Sequence, residues 1–377
     1  MFRFERSETS TDGKARLKRQ LTADHLEALA LGASFLGTGG GGDPYIGYLM
    51  ARQALEAHGP ATVMDLSDLP DDAFCAMSAV MGAPTVLVEK LPGGNEQWIA
   101  LQALEHHLDH PITHIISAEV GGLNSLIPIV ASATTGRPLV DCDAMGRAFP
   151  EIQMSTPTLH GIRATPMAIA DDKGNSVVID AIDNHWTERI ARSVTIDMGA
   201  AAFIALFPQT GEQVKRSMIG QTLALAERIG EAILSARAEK SDPVAAAITA
   251  AGGRRLFEGK ITDVERRTVA GFARGQMRVE GTGAHSGASL VIHFQNENLI
   301  ATLDGTVIAT VPDLITVLEI DSGRPVTTEE LRYGHRVAVA GVPCDPQWRT
   351  DEGLELVGPR YFGYDIDYRP IEGEGAE

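Results

Sequence analysis

The chain has 377 residues, 44% of them hydrophobic, which is enough for more than one core and suggests two domains. Its 50 acidic residues against 32 basic ones give a formal charge of −18, which disfavours nucleic acids and anionic membrane surfaces as partners. No apolar run reaches bilayer-spanning length, no secretory signal is visible, and 3 scattered cysteines without a Cys-x-x-Cys pair imply a reducing, cytoplasmic setting.

Residues 1–21 read as a polar arm. Thr22 is placed to cap a helix in which Leu26, Leu29, Ala33 and Leu36 recur every three or four residues. The run "FLGTGGGGDPYIG", residues 35–47, ends that helix with 5 glycines in 6 positions. Asp43 then caps a second helix with Pro44 in its first turn, an inner stripe of Ile46, Leu49, Met50, Ala54 and Ala57, and Gly59 at its end. Strands follow at 61–66 and 74–81, and Asn95 caps a helix with Trp98, Leu101, Leu104 and Leu108 inward. "ITHIISAEV" (112–120) reads as a buried strand, followed by Gly121-Gly122 and a helix capped by Asn124, and "PLVDCD" (138–143) reads as the next strand. Strands buried on both faces and alternating with helices predict an α/β domain with a mostly parallel sheet over 22–185. Residues 211–240 read as one long helix, and the period-two segments after Gly252-Gly253 predict a β-rich domain over 186–377.

The glycine run has three readings. Gly37-x-Gly39-x-x-Gly42, with Asp65 downstream, matches a dinucleotide fingerprint and would make the chain a nicotinamide-dependent oxidoreductase, but the fingerprint needs a strand before the glycines. A plain helix–turn–helix corner needs only one or two glycines. Four in a row leave bare N–H groups at the start of a helix, which suits a substrate anion.

Ligands of such sheets bind beyond the C-terminal ends of the strands. Glu119 falls at one such end and Asp141 and Asp143 at another, the two aspartates on one face and roughly 6.5–7 Å apart. They could bind a divalent metal, share general acid and base work, or merely cap the next turn. Arg147 could hold a substrate carboxylate or pair with Glu151. Cys142 reads as a buried hydrophobe, His160 and His185 stand alone, and His106-His107 read as solvated. The expected catalytic set is Glu119, Asp141 and Asp143, and the last two are the candidate ligands if a divalent metal is bound. Gly39, Gly40, Gly41, Gly42, Asp43, Gly121, Gly122, Asn124 and Arg147 are the expected substrate contacts.

The stretches "LGTGGGGDPYIG", "MGAPTVLVEKLPGG", "EVGGLNSLIPI", "PLVDCDAMGRAFPEIQM" and "WRTDEGLELVGPRYFGYD" together resemble the S-methyl thiohydantoin desulfurase family, over about residues 22–370. The resemblance implies a two-domain protein, an N-terminal α/β part and a β-rich C-terminal part, in a family whose members are often encoded beside hydantoinase/oxoprolinase subunits. It also implies a hydrolase that converts an S-methylated thiohydantoin to a hydantoin with release of methanethiol. A noncatalytic partner subunit of a hydantoinase/oxoprolinase complex is the alternative. The expected partners are a small-molecule substrate, further copies of the chain and those subunits.

Overall fold

The computed structural model describes residues 18–82, 86, 93–269 and 272–372. The polar-arm reading of residues 1–17 and most of "MGAPTVLVEKLPGG" lie outside the described residues. Thr22 precedes a short turn, and helix α1 then runs over Leu26–Leu36. Helix α2 occupies Pro44–His58, and the Asp43 carboxylate accepts the Tyr45 N–H at 2.8 Å as its cap. The buried face of α2 is Gly47, Ala51, Ala54 and Leu55. Of the expected stripe Ala54 is buried and Ile46 and Met50 pack at its edge, while Leu49 and Ala57 are exposed, because Gly47 sets this side of the helix on the turn at Leu123–Leu126.

Nine strands form the first sheet: β1 Lys18–Leu21, β2 Ala61–Asp65, β3 Phe74–Gly82, β4 His114–Ser117, β5 Leu139–Asp143, β6 Met167–Ala170, β7 Ser176–Ile179, β8 Ala201–Thr210 and β9 Ile219–Gly220. Their order is β1-β2-β5-β4-β3-β8-β6-β7, with β9 paired to β5. The centre, β2-β5-β4-β3, is parallel, and the flanking pairs are antiparallel. Helices α3 (Glu96–Leu108) and α4 (Ile127–Thr135) connect the parallel strands, as a crossover between parallel neighbours requires. β4 and β5 are neighbours, so the strand ends that carry Glu119 and Asp143 lie side by side. β4 is shorter than expected, and Asn124 does not cap α4, since a short turn at Gly122–Ser125 intervenes and Leu126 occupies the cap position.

After helix α5 (Asn184–Asp197) the chain returns to the first sheet as β8. Residues 211–240 are not one helix: α6 (Gly211–Ser217) and α7 (Thr222–Glu239) flank β9, with Gln221 at φ 62° between them. The break comes where Ile219 and Gly220 pair with Asp143 and Cys142, which pulls the chain onto the end of β5. Helix α8 (Pro243–Ala251) leads to the second sheet.

That sheet is antiparallel throughout and has seven strands in the order β14-β13-β12-β11-β10-β16-β15. They are β10 Arg254–Val269, β11 Phe272–Gly281, β12 Ser289–Gln295, β13 Glu297–Leu303, β14 Thr306–Thr310, β15 Leu314–Glu319 and β16 Arg336–Val342. Strand alternation divides it between two cores. Leu314, Leu318, Ala338 and Ala340 join the core of the first domain, while Ile315, Val317, Val337 and Val339 pack with Phe257, Ile292 and Phe294 on the other side. The sheet is therefore fastened to the α/β domain by one of its faces. Among the described residues no helix is long and apolar enough to cross a membrane.

Candidate active site

The glycine loop sits where the two domains meet, and it follows a helix rather than a strand, so the dinucleotide arrangement is not present. Its carbonyls are occupied on both sides. Thr38 O accepts from Asn298 N at 2.8 Å, Gly39 O from Thr328 N at 2.8 Å, and Gly41 O from Leu123 N at 2.9 Å. The N–H groups of Gly41 and Gly42 donate to no acceptor among the described residues. Two features demand glycine here. Gly41 has φ 75°, and a Cβ on it would lie 2.7 Å from the Gly121 carbonyl carbon. Gly122, at φ 43°, would likewise put a Cβ 2.3 Å from Gly42 O. The two glycine segments lie directly against each other.

Gly40, Gly41 and Gly42 line a cavity of about 140 Å³ at the C-terminal ends of β3, β4 and β5. A void of about 150 Å³ holds one benzene-sized ring. The wall is largely apolar, with Met77, Val80, Leu123, Phe149, Ile204 and Leu206. Its polar groups come from both domains: Glu119 and Asn124 from the first sheet's loops, Glu151, Glu188 and Arg192 from around α5, and Asn296, Glu297 and Glu329 from the second domain.

Glu119 is 8% exposed, and burial pushes its carboxyl up to about 7, reinforced by the nearby Asp143 and opposed by hydrogen bonds from Asn124 and the Phe149 backbone. Glu297 is 2% exposed, and burial, with the charge of Glu119 next, raises its carboxyl well above the usual range against the pull of Arg147. Glu297 Oε2 is buried and has no hydrogen-bond partner among the described residues. One cavity thus holds two buried carboxyls, one from each domain, both raised above the usual carboxylate range by burial.

The other expected site residues do other work. Neither Asp141 nor Asp143 lines the cavity. Asp141 Oδ1 accepts Leu223 N at 2.8 Å and Ala224 N at 3.3 Å, so it caps α7 from a distance. Asp143, fully buried, accepts N–H groups of Val120, Met145 and Gly146 at 2.8–3.1 Å and pins the β4 and β5 ends together. Burial raises its carboxyl to about 7 despite those donors. Among the described residues no cluster of three or more His, Cys, Asp or Glu side chains is arranged to hold a metal ion.

Arg147 is fully buried and not open to a substrate. Its guanidinium donates to Pro312 O, Asp313 O and Asn298 O of the second domain at 2.8–3.2 Å, to Thr38 Oγ1 at 2.8 Å and to Ala148 O at 3.1 Å. Gly39, Gly121 and Gly122 stand behind the cavity wall, and Asp43 points outward as a helix cap. His106, His107, His160 and His185 are exposed, and His160 Nε2 lies 3.0 Å from Gln347 Oε1. Burial raises the Cys142 thiol well above its normal value, which removes it as a nucleophile.

Sequence reasoning overlooked Glu297. Its signal was the polar run "QNEN" interrupting two strands of otherwise regular alternation. In the fold this run is the β12–β13 turn, and Glu297 is tucked inside rather than turned to solvent.

The fold is that of a two-domain protein, α/β followed by an antiparallel β-sheet domain, with a cavity where the domains meet. The chain belongs to the S-Me-THD-like family, that of S-methyl thiohydantoin desulfurases: the family's N-terminal domain matches residues 24–181 and its C-terminal domain residues 182–371. Its fold is similar to the crystal structure of a protein from Chromobacterium violaceum, at 22% identity and a TM-score of 0.76, over 94% of this chain and 100% of that one. No curated protein matches the chain.

Proposed function

We propose that the protein hydrolyses a small cyclic thioimidate of the S-methyl thiohydantoin type, with Glu119 as general base and Glu297 as general acid. The observation that supports this most is the joint burial of these two carboxyls, one from each domain, in a cavity the size of a single ring. In such a substrate the ring carbon bearing sulfur is also bonded to two nitrogens and is electrophilic. Ionised Glu119 takes a proton from water as its oxygen bonds to that carbon. The tetrahedral adduct carries its charge towards the Gly41 and Gly42 N–H groups, which have no acceptor among the described residues, and a well-placed donor there contributes about 2.7–4 kcal/mol. Protonated Glu297 then delivers its proton to sulfur as the C–S bond breaks. The carbonyl forms by loss of the hydroxyl proton to Glu297, and Glu119 returns its proton to the ring nitrogen. Water and thioimidate become cyclic ureide and thiol, with both carboxyls restored.

This reading places the acid–base work on Glu119 and Glu297 instead of on Asp141 and Asp143, whose oxygens hold backbone N–H groups. The test is thiol release from an S-methyl thiohydantoin by the purified chain without partners, followed with a colorimetric thiol reagent. Glu119→Gln and Glu297→Gln should each lower turnover by roughly a hundredfold or more. Wild-type rates in both variants would reject the site, and absence of thiol release from the native chain would reject the reaction.

A further inference from the structure

Strand β4 pairs with β3 only as far as Ser117 opposite Ser78, yet β3 continues to Gly82. Beyond that point the Val80 backbone meets a side chain in place of a strand. Asn124 Oδ1 accepts Val80 N–H at 2.8 Å, and Nδ2 donates to Val80 O at 3.1 Å. This pairing fixes which way the amide points, because the Val80 N–H can only donate. The remaining N–H of Nδ2 is thereby aimed at Glu119 Oε1, 2.8 Å away. Both Asn124 and Glu119 line the cavity.

We propose that Asn124 is a positioning residue: clamped to the end of β3, it orients the Glu119 carboxylate towards the substrate and favours its charged form. The proposal rests on the reading of Glu119 as the base. An amide in this place differs from a plain structural filler, because one of its donors is reserved for an ionisable oxygen. Hydrogen bonds to a carboxylate are stronger than those between neutral groups, so losing this one shifts the balance towards the protonated acid.

The test is Asn124→Asp, nearly the same shape, which keeps an oxygen for Val80 N–H but has no donor for Glu119. The other ionisable groups in the cavity are Glu297, Glu151, Glu329 and the Glu188–Arg192 pair, and Asp143 acts on Glu119 from outside it. None is replaced, but the new carboxylate also raises Glu119 by repulsion, so the upward move must recur in Asn124→Ser, which adds no charge. Two readouts are needed. Isotope-edited infrared or carboxyl NMR on the native fold should show the Glu119 titration moving up by roughly one pH unit or more. The acid limb of kcat/KM should move with it, and turnover should recover at higher pH. A loss equal at every pH, or an unmoved Glu119 titration in a folded variant, would overturn the proposal. The spectroscopic readout does not depend on turnover, so an inactive native chain would sink the proposed reaction alone. Asn124→Ser, too short to reach Glu119, provides the same measurements without an added charge.

Discussion

Gly40 and Glu297 meet across the domain junction so closely that a Cβ on Gly40 would lie 2.0 Å from Glu297 Oε1. The glycine loop therefore shapes the seat of the proposed acid, besides presenting N–H groups. Gly40→Ala should push the Glu297 carboxyl from its place while the rest of the loop, held through the Thr38, Gly39 and Gly41 carbonyls, stays fixed. The expected result is a fall in kcat approaching a hundredfold, the scale of roughly 1 Å misplacement, with a melting temperature close to native. Native turnover would show that Glu297 need not sit where the structure puts it.

Arg147 ties the same junction together from behind. Replacing it with methionine would leave the carbonyls of Pro312, Asp313 and Asn298 buried without their donor, at about 1–3 kcal/mol for each acceptor left unsatisfied. Arg147→Met should therefore lower stability by several kcal/mol in denaturant unfolding, and Arg147→Lys should recover only part of it, since one ammonium cannot reach every acceptor. An unchanged unfolding midpoint for Arg147→Met would refute this role.

Asp141 separates the two functional models directly. As a distant cap of α7, its loss in Asp141→Ala should cost about 0.5–2 kcal/mol of stability and leave turnover of the folded protein near native. A hundredfold loss in a variant that melts normally would return Asp141 to the catalytic set.

These assignments show which parts of the protein were legible in its sequence. Local signals worked where local chemistry decides: Asp43 with Pro44 marked a helix start, and the apolar runs at 74–81 and 138–143 marked buried strands. The placement of Glu119 at a strand end followed from the parallel arrangement, and the structure brings it into the same cavity as the glycine loop. The signals fell short where long-range contacts decide. Nothing near Asp141 reveals that its partner is a helix that starts some eighty residues later, and nothing near Arg147 announces the Pro312 and Asp313 carbonyls. The break at 218–221 inside a helical pattern has the same origin, pairing with the remote strand β5. Glu297 was missed because a charged residue after a turn ordinarily faces water, and only the docking of the second sheet buries it.

Burial of the site carboxyls also predicts how stability should depend on pH. Glu119 and Asp143 ordinarily titrate near 4.5 and 3.8, and burial raises each to about 7 in the folded protein. Between those limits the native state holds more protons than the unfolded chain, so these two groups make stability fall as pH rises from about 4 to about 7. Below this window both states are protonated and above it both are ionised, so their contribution is flat. His293 and His335 act in the opposite sense, because burial lowers both and their neutral folded forms gain stability as pH rises towards 6.5. Asp242, Glu319 and Glu372 are held below their usual values by hydrogen bonds and arginine partners, so their contributions disappear only at more acid pH. The Glu119 share is isolated by comparing the native chain with Glu119→Gln, whose amide has no charge to bury. The variant should be more stable than the native chain at pH 8, by up to a few kcal/mol at about 1.36 kcal/mol for each pH unit that the folded titration is displaced. The difference should shrink steadily towards pH 4.5. Parallel stability curves for the two proteins between pH 4.5 and pH 8 would mean that Glu119 titrates normally, and the proposed base would lose its physical footing.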